Sequence, residues 1–176
     1  IVEIGSWWGK SAFIFLRLAQ RFNIGALLCV DPWSDAHLVQ HDEKGLVDVT
    51  SALFSAEEAF QVCMMNLLPY AANDMNYYRL PSTAAAEKYR SSQTISSPEF
   101  GLTKYTGQIA ILHIDGNHSL DNVNADVAAW SSQLMRGGWI VLDDYTWPFG
   151  DGPKQVGNEY LRQNQDRIAT SFVMGG

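Results

Sequence analysis

The sequence contains only two cysteines, Cys29 and Cys63, and they are far apart. Cys29 lies within the apolar run 26–30 and is expected to be a small buried side chain. Because there is no closely spaced pair, neither a disulfide framework nor a zinc knuckle is expected. This use of cysteine is typical of the reducing cytoplasm, which is the location that we expect for the protein.

Basic residues are also scarce, with 12 Lys and Arg against 19 Asp and Glu and a net charge of −7. Binding to nucleic acid needs a concentrated basic face, and no Lys/Arg cluster provides one, so we expect no nucleic-acid partner. No apolar run approaches the roughly 20 residues that span a bilayer, so no membrane association is expected. The substrate is expected to be a small molecule.

Both ends of the sequence resemble the middle of a sheet. Residue 1 already lies in a strand-like run, Ile1–Ile4, and Thr170–Met174 has the pattern of another strand. Since a domain rarely starts and stops in mid-sheet, we expect a fragment that is truncated at both ends. Sheet edges exposed in this way can favour self-association, so a homo-oligomer stays open.

Apolar runs alternate with helical patterns along the whole sequence. The predicted strands are 1–4, 26–30, 76–80, 109–114 and 139–142, and the predicted helices are 11–21, 55–68, 83–89, 119–134 and 153–165. Ser55, with Glu58 three residues later, forms a capping-box pattern. Two polar stretches, 34–50 (with His41) and 91–106, break the alternation and are expected to be loops or insertions.

Continuous apolar strands separated by helices are typical of a parallel sheet that is covered on both faces. The sequence therefore predicts a single α/β domain over residues 1–176. Its core is expected to be a doubly wound, mostly parallel, Rossmann-like sheet with helices on both faces.

The first predicted strand runs into a glycine-rich loop at Glu3–Ser11. Gly5 and Gly9 let the backbone turn tightly and approach a ligand closely, and the following helix offers unpaired N–H groups to an anion. Asp31 ends the second strand about 20 residues beyond Gly9, where a carboxylate can accept hydrogen bonds from ribose hydroxyls. The spacing is that of a nucleotide or nucleoside site.

Three cofactor-binding motifs have to be compared with this loop. The dinucleotide fingerprint Gly-x-Gly-x-x-Gly needs a middle glycine, which this loop lacks. A P-loop needs four residues between its first glycine and Gly-Lys-Ser, and here Ser6-Trp7-Trp8 supplies only three. The third pattern, acid-x-Gly-x-x-x-Gly-x-Ser, resembles motif I of class I methyltransferases. A turn with a purely structural role is the remaining alternative.

Acidic residues follow the fourth and fifth predicted strands, as Asp115 and as the pair Asp143-Asp144. These strand ends are expected to meet in the same crevice as the first loop. Three carboxylates in one crevice repel each other unless a cation neutralises them, and oxygen ligands suit Mg²⁺ or another divalent cation. Alternatively, Asp115 caps the next helix and the pair simply ends a strand.

His118 follows Asp115 by three residues on the same predicted loop. An imidazole there could take the proton from a substrate hydroxyl, although a surface or capping histidine is the alternative. Aromatic residues also gather in sequence near the predicted strand ends. They could line a pocket or belong to the core, and they are Trp7, Trp8, Trp33, Tyr145 and Trp147.

Longer segments carry a family resemblance. They are the run 114–119 (Ile-Asp-Gly-Asn-His-Ser), then Asp126 and Trp130, and the run 134–145 that contains Arg-Gly-Gly and ends in Asp-Asp-Tyr. Together they resemble S-adenosylmethionine-dependent class I methyltransferases of the macrocin and mycinamicin O-methyltransferase type, a group that includes cephalosporin-hydroxylase-like proteins. The resemblance extends from Val2 to about Leu161 and is weakest in 34–50 and 91–106.

The resemblance implies Mg²⁺-assisted methyl transfer from S-adenosylmethionine to a hydroxyl oxygen of a small molecule or sugar. It implies cofactor binding by Glu3, Gly5, Ser6, Gly9, Ser11, Asp31, Ser82 and Asp115, metal binding by Asp115, Asp143 and Asp144, and catalysis by His118 and Asp115. Some relatives have an acid where this sequence has Asn117, which leaves His118 as the base. The alternatives are a hydroxylase-like activity, a non-catalytic binding domain and a nicotinamide-dependent oxidoreductase.

Overall fold

The structure is a computed structural model that describes residues 1–37 and 55–174. His41 and most of the predicted loop 34–50 lie outside the described residues. Only the start of that loop is described, as a single 3₁₀ turn at Asp35–His37.

The described residues form seven strands and five α-helices. The strands are β1 Val2–Ile4, β2 Leu27–Val30, β3 Met75–Tyr78, β4 Thr94–Ser97, β5 Gly101–Lys104, β6 Ile109–Ile114 and β7 Leu134–Leu142. The helices are α1 Lys10–Phe22, α2 Ala56–Leu67, α3 Ser82–Ser91, α4 Leu120–Trp130 and α5 Gly152–Gln163.

Five strands pair in the order β3-β2-β1-β6-β7, and every neighbouring pair is parallel. One face of this sheet packs against α1 and α2, through side chains such as Leu16 and Cys63. The other face packs against α3, α4 and α5, through side chains such as Tyr89, Val127 and Val156. The predicted parallel sheet with helices on both faces is confirmed.

Local signals explain where the helices begin. Ser55 caps α2 in a capping box, with its Oγ accepting from the backbone N–H of Glu58 and the Glu58 carboxylate accepting from the backbone N–H of Ser55. The capping box predicted from the sequence is thus confirmed. α1 begins after Gly9, close to the predicted start of the helix 11–21, and buries Ala12, Leu16 and Ala19 on one side.

The stretch 91–106, which was predicted as a loop or insertion, instead contains an antiparallel hairpin of β4 and β5. This prediction of a loop was wrong. Ile95 and Phe100 are buried, and the side-chain amide of Asn76 in β3 donates to the carbonyl of Gly101 at 2.9 Å. The hairpin therefore packs beside β3 at the edge of the sheet, a tertiary contact that the polar composition of the segment does not indicate.

The predicted helix 119–134 ends earlier, at Trp130, and a 3₁₀ turn at Ser131–Gln133 leads into β7. Leu134 already belongs to β7 and pairs with Ile109 of β6, so the chain leaves the helix before it. The predicted strand Thr170–Met174 is also wrong, because no strand forms there and Phe172 lies against Trp139 with ring centroids 5.8 Å apart. Within residues 1–37 and 55–174, no helix is long and apolar enough to cross a membrane.

Candidate active site

The carboxyl ends of the central strands lie side by side. The backbone N–H of Asp115 donates to the carbonyl of Ile4 at 2.8 Å, and that of Asp143 donates to Ile114 at 3.0 Å. The order of strands reverses between β1 and β6, where ligands bind in doubly wound sheets. The loop after β1 and the acidic residues after β6 and β7 therefore meet at one edge, as the sequence predicted.

The two glycines of the first loop are required by contacts within the protein. Gly5 has a φ of 84°, and a Cβ atom on it would overlap the backbone carbonyl of Asp115. Gly9 has a φ of 77°, and a Cβ there would lie 2.9 Å from Sγ of Cys63 in α2. The purely structural interpretation of these glycines thus accounts for both positions, and a ligand at this loop has to be argued from other groups.

Asp31, at the end of β2, holds the first loop in place. Its Oδ2 accepts from the backbone N–H of Trp7 at 3.0 Å, and its Oδ1 accepts from that of Trp33 at 2.7 Å. Burial raises the pKa of Asp31, and the two backbone donors oppose that rise. Each oxygen retains a second lone pair that can accept a hydrogen bond from a ligand.

Glu3 and His113 form a buried pair beneath the loop. Glu3 is fully buried, and neither of its carboxylate oxygens has a hydrogen-bond partner among the described residues. Nδ1 of His113 lies 3.4 Å from Oε1 of Glu3. Burial lowers the pKa of His113, but the direct interaction with Glu3 and the charges of Glu3, Asp115 and Asp143 together outweigh it, and the net shift is upward.

His113 is not among the site residues predicted from the sequence. Its signal is a polar side chain within the otherwise apolar run of β6, two residues before Asp115. Alternate residues of a strand share a face, so this spacing places the imidazole on the side of the sheet to which Asp115 belongs.

The three aspartates predicted to bind metal divide into two clusters that share Asp115. One contains His113, Asp115 and Asp143, and the other contains Asp115, His118 and Asp144; in each, the potential ligand atoms lie within 4.8 Å of one another. Burial raises the pKa of Asp115, and the negative charge of Asp143 raises it further. A hydrogen bond with His118 lowers it, but the net shift is upward.

Neither Asp115 nor His118 caps the next helix. Ser119 is the N-cap of α4, and its Oγ accepts from the backbone N–H of Asn122 at 3.3 Å. Asn117 holds the same turn, because its Oδ1 accepts from the backbone N–H of Ser119 at 2.9 Å. The capping alternative for these two residues is therefore wrong.

His118 instead points toward the acidic residues. Its Nε2 lies 2.9 Å from Oδ2 of Asp144 and 3.9 Å from Oδ1 of Asp115, and the ring of Trp147 packs against it with centroids 4.5 Å apart. Among the other aromatic residues, Trp33 belongs to the core and donates from Nε1 to the carbonyl of Trp7 at 2.8 Å.

The predicted serines have different surroundings. Ser82 begins α3, and its Oγ accepts from Nε1 of Trp130 at 2.9 Å. Burial raises the pKa of Asp126 to about 6, against a hydrogen bond from Ser82. The hydroxyl of Ser82 therefore joins α3 to α4, and its contact with a cofactor stays a prediction. Ser11 lies in the first turn of α1, and Ser6 is a buried residue of the first loop.

Known proteins share this fold. The O-methyltransferase NovP matches with a TM-score of 0.64 and 15% identity, over 99% of this chain and 66% of NovP. The structure of CalS11, calicheamicin methyltransferase, matches with a TM-score of 0.59 and 15% identity, over 100% of this chain and 68% of CalS11. The apo structure of CalS11, described as a TDP-rhamnose 3′-O-methyltransferase, matches with a TM-score of 0.51 and 15% identity. This match covers 92% of this chain and 62% of CalS11.

The chain thus spans about two thirds of the length of these solved structures. No curated protein sequence matches it. The family model described as a methyltransferase domain matches residues 2–145, which run from β1 through the turn that follows β7. Since that match covers most of the sequence and both loops at the carboxyl edge of the sheet, the chain belongs to this family of methyltransferase domains.

Proposed function

We propose that this domain transfers a methyl group from S-adenosylmethionine to a hydroxyl oxygen of a small molecule or sugar, with the help of a divalent cation. The observation that carries the proposal is the contact between the first loop and the acidic site. The backbone of Asp115 packs on Gly5, while its carboxylate lies 3.9 Å from Nε2 of His118. A cofactor on the loop and an acceptor beside His118 would therefore be neighbours.

The first loop offers groups that suit the two ends of the cofactor. Asp31 has lone pairs left for the ribose hydroxyls, on oxygens that Trp7 and Trp33 already hold in place. The first turn of α1, which contains Ser11, would present its unpaired N–H groups to the methionine carboxylate. Glu3, in β1, would hold the loop from below through its buried carboxylate.

The acidic residues fit a divalent cation. Asp115, Asp143 and Asp144 would hold it, and the upward pKa shift of Asp115 is the electrostatic cost that a cation would relieve. When bound, such an ion acts as a Lewis acid that lowers the pKa of the acceptor hydroxyl and orients it.

His118 is the base in this proposal. Its Nε2 would take the proton of the acceptor hydroxyl while the oxygen attacks the methyl carbon; the new C–O bond forms as the C–S bond breaks, leaving the neutral thioether. Asp144, 2.9 Å from Nε2, would stabilise the imidazolium that results. Asn117 cannot serve in this role, because its side chain does not accept a proton at neutral pH and its Oδ1 already accepts from Ser119.

The test is methyl transfer to a panel of hydroxyl acceptors that includes TDP-rhamnose and other TDP-sugars, with methylated product measured by mass spectrometry. Product is expected with Mg²⁺ or Mn²⁺ and is expected to disappear with a chelator. The double variant Asp143→Asn/Asp144→Asn is expected to lose cation-dependent turnover and to keep S-adenosylmethionine binding in calorimetry.

Three results would contradict different parts of the proposed reaction. Turnover that a chelator does not reduce would remove the cation from the mechanism. A hydroxylated product would favour the hydroxylase-like alternative, and an absence of cofactor binding would overturn the proposal as a whole.

A further inference from the structure

One buried histidine has no role in the mechanism above. His113 lies in β6, its side chain is 7% exposed, and the ring of Phe15 in α1 packs on it with centroids 5.0 Å apart. The imidazole lies between two carboxylates, with Glu3 on the side of Nδ1 and Asp143 on the side of Nε2. The imidazole thus links the first loop to the acidic site.

The distances around Nε2 suit a shared ion. Nε2 of His113 lies 4.0 Å from Oδ2 of Asp143, and with Asp115 the ligand atoms of this cluster lie within 4.8 Å of one another. Two ligands that are each about 2.1 Å from one ion can be at most about 4.2 Å apart. Side-chain movements of less than about 1 Å would therefore bring all three groups to a single ion.

The other ring nitrogen has the environment of a metal-bound histidine. Nδ1 is buried without a hydrogen-bond partner among the described residues, and it faces Oε1 of Glu3 at 3.4 Å. Histidines that bind metal through one nitrogen almost always direct the other N–H to a carboxylate, which fixes the tautomer and makes the ligand nitrogen more basic. Glu3, which has no other partner among the described residues, is placed to do this for His113.

We propose that His113 is a nitrogen ligand, through Nε2, of a divalent transition-metal ion that it binds together with Asp115 and Asp143. The proposal rests on the proposed function only in placing the ion at the same acidic edge. It changes the expected ligand set, since Asp144 is then left to pair with His118, and it changes the expected metal. Imidazole with carboxylates suits Mn²⁺ or Fe²⁺, whereas Mg²⁺ prefers oxygen ligands alone.

The test uses Mn²⁺ as the probe, on protein without a polyhistidine tag and without cofactor. Pulsed electron paramagnetic resonance detects the modulation that a coordinated imidazole ¹⁴N imposes on the Mn²⁺ echo. The sequence has four histidines, so the triple variant His37→Asn/His41→Asn/His118→Asn leaves His113 as the only one. The ¹⁴N modulation is expected to persist in that variant and to disappear in His113→Gln.

Binding constants add a second readout. His113→Gln is expected to weaken Mn²⁺ binding by roughly 10- to 100-fold, and Glu3→Gln is expected to weaken it while the ¹⁴N modulation remains. If His113→Gln does not fold, wild-type protein labelled with ¹⁵N-histidine, compared with the triple variant labelled in the same way, still decides the question.

Bound Mn²⁺ without nitrogen modulation would overturn the proposal, and so would modulation that survives in His113→Gln and is lost in His118→Asn. Modulation from His113 without methyl transfer would overturn the proposed function and leave this ligand in place. Failure of Mn²⁺ to bind would overturn this inference together with the cation of the proposed mechanism.

Discussion

Gly5 and Asp115 lie in direct backbone contact, although they belong to different loops. The carbonyl group of Asp115 occupies the space that a Cβ atom on residue 5 would need, and the backbone N–H of Asp115 donates to Ile4 at 2.8 Å. The loop proposed to bind the cofactor and the residue proposed to bind the metal are therefore held as one unit, and a change at Gly5 is expected to reach both.

Gly5→Ala is expected to destabilise the protein more than Gly101→Ala does. Both glycines have positive φ, at 84° and 66°, but no atom of the described residues would lie within 4 Å of a Cβ on Gly101. The left-handed conformation costs alanine about 1–2 kcal/mol at each position, and overlap with Asp115 adds about 1–3 kcal/mol at Gly5 alone. Denaturant unfolding measures the loss of stability in each variant. Equal losses would contradict the close contact between residue 5 and Asp115.

Asp31→Asn is expected to raise the Kd for S-adenosylmethionine at least tenfold, or about 1.4 kcal/mol. Asparagine has one acceptor oxygen where Asp31 uses two, toward Trp7 and Trp33, and it has no charge to offer the ribose. Titration calorimetry measures the change. Asp121→Asn, an acidic residue in the first turn of α4, is the control and should leave the Kd unaltered. An unchanged Kd in Asp31→Asn would remove Asp31 from the cofactor site.

His118→Gln is expected to lower kcat by about 10²- to 10⁴-fold while the affinity for S-adenosylmethionine stays the same. Glutamine keeps a polar group near Asp144 but cannot take the proton of the acceptor. Single-turnover formation of methylated product gives the rate. His37→Gln, at an exposed histidine in the 3₁₀ turn after β2, is the control. Full activity in His118→Gln would show that another group is the base.

Asp126→Asn is expected to stabilise the folded protein in a manner that depends on pH. Burial raises the folded-state pKa of Asp126 to about 6 from an ordinary 3.8. Between those values the folded protein holds a proton that the unfolded chain has lost, so the free energy of unfolding falls as pH rises. We expect the variant to exceed wild type by about 1–3 kcal/mol above about pH 7, and to equal it near pH 4.

Denaturant unfolding of both proteins across this pH range checks the prediction. The asparagine can still accept the hydrogen bond of Ser82, so the comparison isolates the charge. A difference in stability that is constant with pH would show that Asp126 does not titrate in this window.

Much of the fold follows from local patterns. The apolar run of β6 and the capping box at Ser55 are encoded within a few neighbouring residues, and both appear as predicted. The hairpin in 91–106 was missed because its stability comes from Asn76 and other residues of β3, which lie far away in sequence. The early end of α4 at Trp130 was missed because the apolar spacing continues to Leu134, which belongs to β7.

Local sequence patterns predict that a glycine loop and acidic residues follow the strands of a parallel sheet. The positions at the ends of apolar runs were sufficient for this, because parallel strands end at a common edge. How those residues combine depends on contacts between distant parts of the fold. The packing of the strands divides Asp143 and Asp144 between two clusters, and it brings Glu3 to His113. These contacts join residues that are distant in the chain, so no local pattern could specify them.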